Sequence, residues 1–182
     1  MTVTIDHWDA TDHLRATAAE ALLAELLHLH NGPGSTVWEG PRHAGYDVTS
    51  TGADGTRMLV DAKVATMTRA AINGDELVDV IEWHGHNDRP LVRDPTTHLG
   101  LIVLADSARI ELRDTDAPGS LRFHGELRAE HAFLVPAQVA NDYATAIWST
   151  RTQAPSNGRY RYLAVEHLQG RSLLPGQLGS LA

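Results

Sequence analysis

A short apolar run near the middle of the chain constrains the fold more than any other feature. Residues 98–105 read HLGLIVLA, and a strand that is apolar at successive positions is buried on both faces of its sheet. This run therefore predicts a central strand. Further segments have strand character, namely residues 46–51, 56–66, 77–84, 109–113, 121–128, 132–136 and 159–167.

A long segment before these strands has helical character. Thr11 or Asp12 can cap a helix that runs to about His30, where the sequence NGPG stops it. Glu20 lies at the edge of the helix's apolar stripe, next to Leu27. The stripe itself consists of Leu14, Ala18, Leu22, Leu23, Leu26 and Leu29.

A second helix is predicted over residues 137–150, directly after the strand at 132–136 and with Pro136 near its first position. The order of elements is then helix, several strands, helix and strand. This order predicts an α/β (α+β) fold in which a mixed central β-sheet is flanked by helices.

Length, charge and cysteine content narrow the classes of protein. The 182 residues suit a single domain, 1–182, with a core at about 12–150 and a basic C-terminal strand and tail at 151–182. No apolar run approaches the roughly 18 residues that a membrane span needs, and the lack of cysteine fits a cytoplasmic protein. The net charge of −8 excludes a uniformly basic nucleic-acid binder but leaves room for a local basic face.

The sharpest chemical feature lies in a predicted hairpin. The strands at 46–51 and 56–66 flank the sequence GADG, and Asp-Gly between alternating runs is typical of a hairpin turn. Asp47 on the first strand and Asp61 on the second can approach each other across the ladder. Asp61 and Lys63 are two residues apart, so their side chains project from the same face of one strand.

Two carboxylates and an amine that converge are costly to bury unless they have a use. Oxygen ligands from Asp47 and Asp61 suit Mg²⁺, which keeps several waters and takes its remaining ligands from a substrate phosphate. Such an ion acidifies a water and stabilises charge on the phosphate, and a neighbouring ammonium assists either step. The pattern predicts hydrolysis of a phosphodiester bond, with Mn²⁺ as a substitute for Mg²⁺.

Lys63 is the only lysine in the chain, because 14 of the 15 cationic residues are arginine. A strong preference for arginine means that a lone lysine needs a specific reason. The alternative interpretation is a surface salt pair between Asp61 and Lys63 on a solvated strand face.

The segment GYDVTSTGADGTRMLVDAKVA resembles the core of the PD-(D/E)XK nuclease superfamily, which has the restriction-endonuclease-like fold. Tyr46 and Asp47 stand in the place of the Pro-Asp pair, and Asp61-Ala62-Lys63 stands in the (D/E)XK place. The family order of helix, site-bearing hairpin, further strand, helix and final strand matches the predicted order of elements. The resemblance implies a Mg²⁺-dependent DNA endonuclease.

The resemblance also implies roles for individual residues. Asp47 and Asp61 bind Mg²⁺, and the backbone carbonyl of Ala62 completes the metal site. Lys63 positions the nucleophile and completes the catalytic set with the two aspartates.

Many members of the superfamily add an acidic residue from the first helix. Glu20 is better placed for this catalytic role than Glu25. Glu39, just ahead of the hairpin, is the competing fourth acid.

Two further patterns have more than one interpretation. His84 and His86 fall on one side of a strand or loop, as a zinc or iron site needs, and the alternative is a plain polar loop. Arg159 and Arg161 share one face of the C-terminal strand and are candidates for DNA-binding contacts. The alternative for this strand is a solvated edge position with its tyrosines in the core.

The predicted function is that of a Mg²⁺-dependent endonuclease acting on double-stranded DNA. A homodimer is expected, because two copies of one site related by a two-fold axis most simply cut both strands. A type II-like restriction enzyme is the favoured role, and a repair, junction-resolving or toxin nuclease has the same chemistry. The rival of another class is a non-catalytic metal- or DNA-binding module, and no membrane partner is expected.

Overall fold

The computed structural model describes residues 8–40, 43, 45–71, 76–85, 90–105, 111–114, 121–124, 127–147 and 159–174. Within these ranges it describes the backbone alone at residues 8–13, 111–114, 121–124, 145–147 and 159. The helices are α1 (Trp8–Asn31), α2 (Ala137–Tyr143) and a 3₁₀ turn (Val165–Leu168). The strands are β1 (Thr36–Trp38), β2 (Val48–Thr51), β3 (Arg57–Ala71), β4 (Leu77–Gly85), β5 (His98–Leu104), β6 (Glu111–Asp114), β7 (Leu121–His124), β8 (Ala129–Pro136), β9 (Thr145–Ile147) and β10 (Arg159–Ala164).

Helix α1 confirms the predicted helix and its C-terminal end, but the predicted cap was wrong, because the helix begins at Trp8 and contains both Thr11 and Asp12. Gly32 follows the helix with a φ of 94°, and its N–H donates to the His28 carbonyl, which is the usual role of a glycine after a helix. The buried face centres on Ala19, Leu23 and Leu27. The prediction that Leu29 belongs to this face was wrong, because its side chain is 69% exposed.

The predicted hairpin is present as β2 and β3. Its register runs from Thr51 opposite Arg57 to Val48 opposite Val60. In the turn, Asp54 accepts hydrogen bonds from the Thr56 N–H and hydroxyl through its two carboxylate oxygens. Strand β3 is longer than predicted and continues to Ala71.

The long strand β3 organises the main sheet. It pairs antiparallel with β2 through residues 57–60 and with β4 through residues 65–71, and it pairs parallel with β5 through residues 60–64. Strand β8 lies antiparallel to β5, and β10 lies between β4 and β9. The order along the sheet is β1-β2-β3-β4-β10-β9, with β5 and β8 joined through β3. The predicted mixed α/β architecture is confirmed at this level.

The sheet has apolar clusters on both faces, as the sequence of β5 predicts. On one face α1 packs through Ala19, Leu23 and Leu27 against a cluster formed mainly by Val48, Met58, Val60, Ala62, Ile102, Leu104 and Ala132. The other face carries a cluster that includes Ile81, Trp83, Leu99, Leu101, Val103, Phe133, Val135, Ala140, Leu163 and Leu168.

The second half of the chain departs from prediction at one helix. Helix α2 was expected to reach residue 150, but it ends at Tyr143, and Ala144 is extended with φ −70° and ψ 130°. Residues 145–147 form β9 and pair with β10 instead. The β-branched Thr145 and Ile147 suit a strand better than a helix.

Of the helices in the described part of the chain, none combines the length and apolar composition needed to cross a bilayer.

Candidate functional site

The candidate site lies on β3, between the part that pairs with β2 and the part that pairs with β4. Pairing with β2 stops at Val60, and pairing with β4 starts at Ala65. Along β3, residues 61–64 therefore lie between the end of the β2 pairing and the start of the β4 pairing, and we call this place the fork. One edge of this stretch is held by β5, from Val60 to Val64.

Asp47 lies at the fork, directly before β2. Its N–H donates to the Val60 carbonyl over 2.9 Å, and its Oδ2 accepts the Ala62 N–H over 2.7 Å. The N–H and C=O of one strand residue point to the same edge, so the Ala62 carbonyl faces the fork as well. The hairpin thus brings the first aspartate onto the backbone of the Asp61-Ala62-Lys63 segment.

Asp61 and Lys63 form a close ion pair on β3. The Lys63 Nζ lies 2.5 Å from Asp61 Oδ1, and both side chains are partly buried. The intervening Ala62 points to the opposite face and packs in the cluster under α1. The alternation of the strand therefore places Asp61 and Lys63 on one face, as predicted, and this face is opposite the cluster under α1.

Glu20 reaches the same region from α1. It is only 8% exposed, and its Oε2 accepts the indole N–H of Trp38 over 3.2 Å. Burial raises the pKa of Glu20, whereas the Trp38 hydrogen bond and the charge of Lys63 lower it. The effect of Lys63 on this pKa shows that Glu20 lies within electrostatic reach of the ion pair.

A glycine in β5 permits the close approach of α1. A Cβ on Gly100 would lie 2.4 Å from Cδ2 of Leu23, which is far inside van der Waals contact. Gly100 is the register partner of Ala62. The small residues Gly100 and Ala62 therefore let α1 pack closely beside the fork. Leu23, which contacts Gly100, lies about one helical turn after Glu20.

Negative charge exceeds positive charge at the fork. The pKa of Asp47 is raised to about 7, mainly by burial, and the carboxylates of Asp61 and Glu20 act in the same direction. The Ala62 N–H and the Lys63 ammonium act in the opposite direction without cancelling these effects. Three carboxylates around one ammonium form a site that a cation would stabilise.

Glu39, the competing fourth acid, is held elsewhere. Its N–H donates to the Asp47 carbonyl over 2.9 Å, so its backbone lies beside the site. Its carboxylate, however, accepts the Thr49 hydroxyl over 2.7 Å at an exposed position. Of the two candidates, Glu20 is the one whose charge acts on Asp47.

The donor set at the fork consists of oxygen, which suits Mg²⁺. Among the described side chains, no three of the His, Cys, Asp and Glu type are arranged to hold one metal ion together. Asp47, Asp61 and the Ala62 carbonyl are the oxygen donors that could hold such an ion, with water as a further ligand. The carboxylates of Asp61 and Glu20, which raise the pKa of Asp47, are the observation that favours a cation there.

The predicted DNA contacts need a correction. Arg161 is only 2% exposed, and its side chain lies against Gly85 of β4. A guanidinium buried in this way does not lie on a DNA-binding surface. The side chain of Arg159 lies outside the described side chains. His84 is exposed next to Tyr160, and His86 lies outside the described residues.

Sequence reasoning missed two residues that shape the site. Trp38 holds Glu20 through its indole N–H, and no local pattern indicates that role. Gly100 interrupts an otherwise apolar strand, and a glycine inside a strand is a signal for close approach by another backbone or element. That signal was present in the sequence.

No family model matches this chain, and neither a curated protein nor a solved structure matches it. The function is therefore argued from the geometry of the fork.

Proposed function

We propose that the protein is a Mg²⁺-dependent endonuclease that hydrolyses phosphodiester bonds in double-stranded DNA. The observation that carries this proposal is the convergence of Asp47 and the Asp61–Lys63 pair at the fork. Glu20 adds a third carboxylate from α1. This combination of acids and one amine suits an ion that binds phosphate and a cation that assists the attack on phosphorus.

Each residue has a defined task in this proposal. Asp47 and Asp61 would hold Mg²⁺ with the Ala62 carbonyl, and Mn²⁺ would substitute for it. When bound, the ion supplies an acidified water and stabilises charge on the phosphate. Lys63, held by Asp61 at 2.5 Å, orients the nucleophile and stabilises negative charge on the phosphate. Glu20 strengthens the negative field that attracts the cation.

The fold supports a restriction-endonuclease-like core as part of the proposal. Helix α1 packs against the hairpin that bears the site, β4 continues from β3, and α2 follows a later strand. Between β4 and α2 in the sequence, the chain also contains β5 and β8, which join the same sheet. The favoured role is that of a cytoplasmic, homodimeric restriction enzyme of the type II kind, since two copies of the site cut both strands.

Cleavage of plasmid DNA tests the proposal. The wild-type protein should cut with Mg²⁺ or Mn²⁺ and should not cut in EDTA. Asp61→Asn should reduce the rate by roughly 10²–10⁴-fold, the scale for removing a group that acts directly in catalysis. Asp79→Asn is the matched control, because Asp79 is an exposed aspartate paired with Arg69 at 3.5 Å.

Two results would contradict the proposal. Full cleavage in excess EDTA would show that no divalent ion takes part. Absence of cleavage under every metal condition, with Asp61→Asn and wild type equally stable, would instead favour a non-catalytic binding module.

A further inference from the structure

Residues 95–97 join the hairpin to the segment that carries Asp47. The Thr97 N–H donates to the Leu59 carbonyl over 2.8 Å, and the Leu59 N–H donates to the Thr97 hydroxyl over 2.9 Å. Thr97 is therefore anchored to β3 only two residues before Asp61. This anchor places Pro95 and Thr96 beside the chain that enters β2.

Thr96 makes the contact that matters for Asp47. Its side chain is 7% exposed, and its hydroxyl donates to the carbonyl of Gly45. Pro95 packs against the same glycine, with its Cδ 3.5 Å from where a Cβ on Gly45 would lie. Gly45 has a φ of 97° and lies two residues before Asp47. The loop before β5 thus holds the start of the segment that delivers the aspartate.

The end of this segment is fixed on β3 by the bond from the Asp47 N–H to the Val60 carbonyl, whereas its start at Gly45 is held by the Thr96 hydroxyl. The ladder between β2 and β3 starts at Val48, so residues 45–47 lie ahead of regular strand pairing. The contact between His43 Nδ1 and the Tyr46 carbonyl is local and ties the segment only to its own loop. The Thr96 hydroxyl, in contrast, ties it to a residue stretch that is itself anchored on β3.

We propose that Thr96 is a positioning residue that sets where Asp47 places its carboxylate at the fork, an inference that rests on the proposed function. The hydrogen bonds of Thr96 go to Gly45 and Arg93 and not to the residues proposed to act in catalysis. It acts through Gly45, whose carbonyl is left without this buried donor when the hydroxyl is removed. A displacement of about 1 Å at a reacting group can lower a rate about 10²-fold.

Thr96→Val and Thr96→Ser form the test, because valine keeps the shape and serine keeps the hydroxyl. Thr68→Val is the matched control, since Thr68 lies in the outer half of β3 opposite Val80. Amide hydrogen exchange and NMR chemical shift of Ala62 report directly on the Asp47 carboxylate that accepts its proton. Steady-state cleavage kinetics give kcat and KM.

Thr96→Val should increase the exchange rate of the Ala62 amide by about 10-fold or more, as expected when a protecting contact is lost. It should also lower kcat by roughly 10–100-fold with little change in KM, because substrate binding is not touched. Thr96→Ser should restore both values, and Thr68→Val should resemble wild type. An Ala62 amide and a kcat unchanged in Thr96→Val would overturn the inference.

The amide measurement separates this inference from the proposed function. If the wild-type protein cuts no DNA, the nuclease proposal fails, while Ala62 still reports whether Thr96 positions Asp47. If Thr96→Val does not fold, the variant Gly45→Ala is used instead. Gly45 is exposed, and its φ of 97° disfavours any residue with a Cβ, so alanine should displace the backbone to which Thr96 binds. This variant should perturb the Ala62 amide in the same way, and an unperturbed amide would reject the inference.

Discussion

At the level of single residues, the variant Lys63→Arg distinguishes a role of Lys63 as a positive charge from a role as an acid–base group. Arginine keeps the positive charge beside Asp61, but its guanidinium is wider and effectively never deprotonated. The variant should fold, keep its melting temperature within a few degrees and cut DNA roughly 10²–10⁴-fold more slowly, the scale for a lost acid–base group. Arg69→Lys is the reciprocal control at an exposed pair and should cut normally. Near-normal cleavage by Lys63→Arg would reduce Lys63 to an electrostatic role.

The raised pKa of Asp47 predicts how the stability of the protein in EDTA depends on pH. This pKa is raised from 3.8 to about 7, first by burial, so the folded protein holds a proton that the unfolded chain releases. This contribution to stability is complete below about pH 4 and is lost as pH rises through about 7. Melting curves should therefore show that wild type loses more stability than Asp47→Asn between pH 5 and pH 8.5. Parallel pH profiles for the two proteins would contradict this expectation.

At the level of elements, the contact between α1 and β5 explains how Glu20 reaches the fork. Gly100→Ala would place a Cβ 2.4 Å from Cδ2 of Leu23. We expect a loss of about 1–3 kcal/mol in the free energy of unfolding, as in other overpacked cores, together with slower cleavage as Glu20 moves. Combining it with Leu23→Ala should show a favourable coupling in denaturant unfolding. Additive effects of the two substitutions on the free energy of unfolding would mean that the side chains at positions 100 and 23 do not clash.

The elements also show which features the sequence could predict. The hairpin was predictable because its signals, an Asp-Gly turn and alternating side chains, are local. The fork was not, because it depends on where β4 and β5 pair along β3. The burial of Arg161 depends in the same way on tertiary contacts, such as that of its side chain with Gly85 of β4, which no property of residues 159–164 reveals.

At the level of the whole molecule, the acidic charge gives a test of the proposed DNA binding. A chain with a net charge of −8 and three carboxylates at the fork repels phosphate until a cation binds. Duplex oligonucleotide should therefore bind weakly in EDTA and more tightly with Ca²⁺, whose looser geometry should not support cleavage. Fluorescence anisotropy at constant ionic strength measures this difference. Equal affinity in EDTA and Ca²⁺ would show that the fork does not face the DNA.

The contacts at the fork close chain loops of very different lengths. Asp47 and Ala62 are 15 residues apart, Leu59 and Thr97 are 38 apart, and Thr96 and Gly45 are 51 apart. Each doubling of a flexible loop adds about 0.6 kcal/mol of closure entropy. The aspartate can thus meet its strand within the hairpin before the rest of the sheet assembles. We expect the contacts of residues 95–97, which close the longer loops, to form later and to fix the position of Asp47.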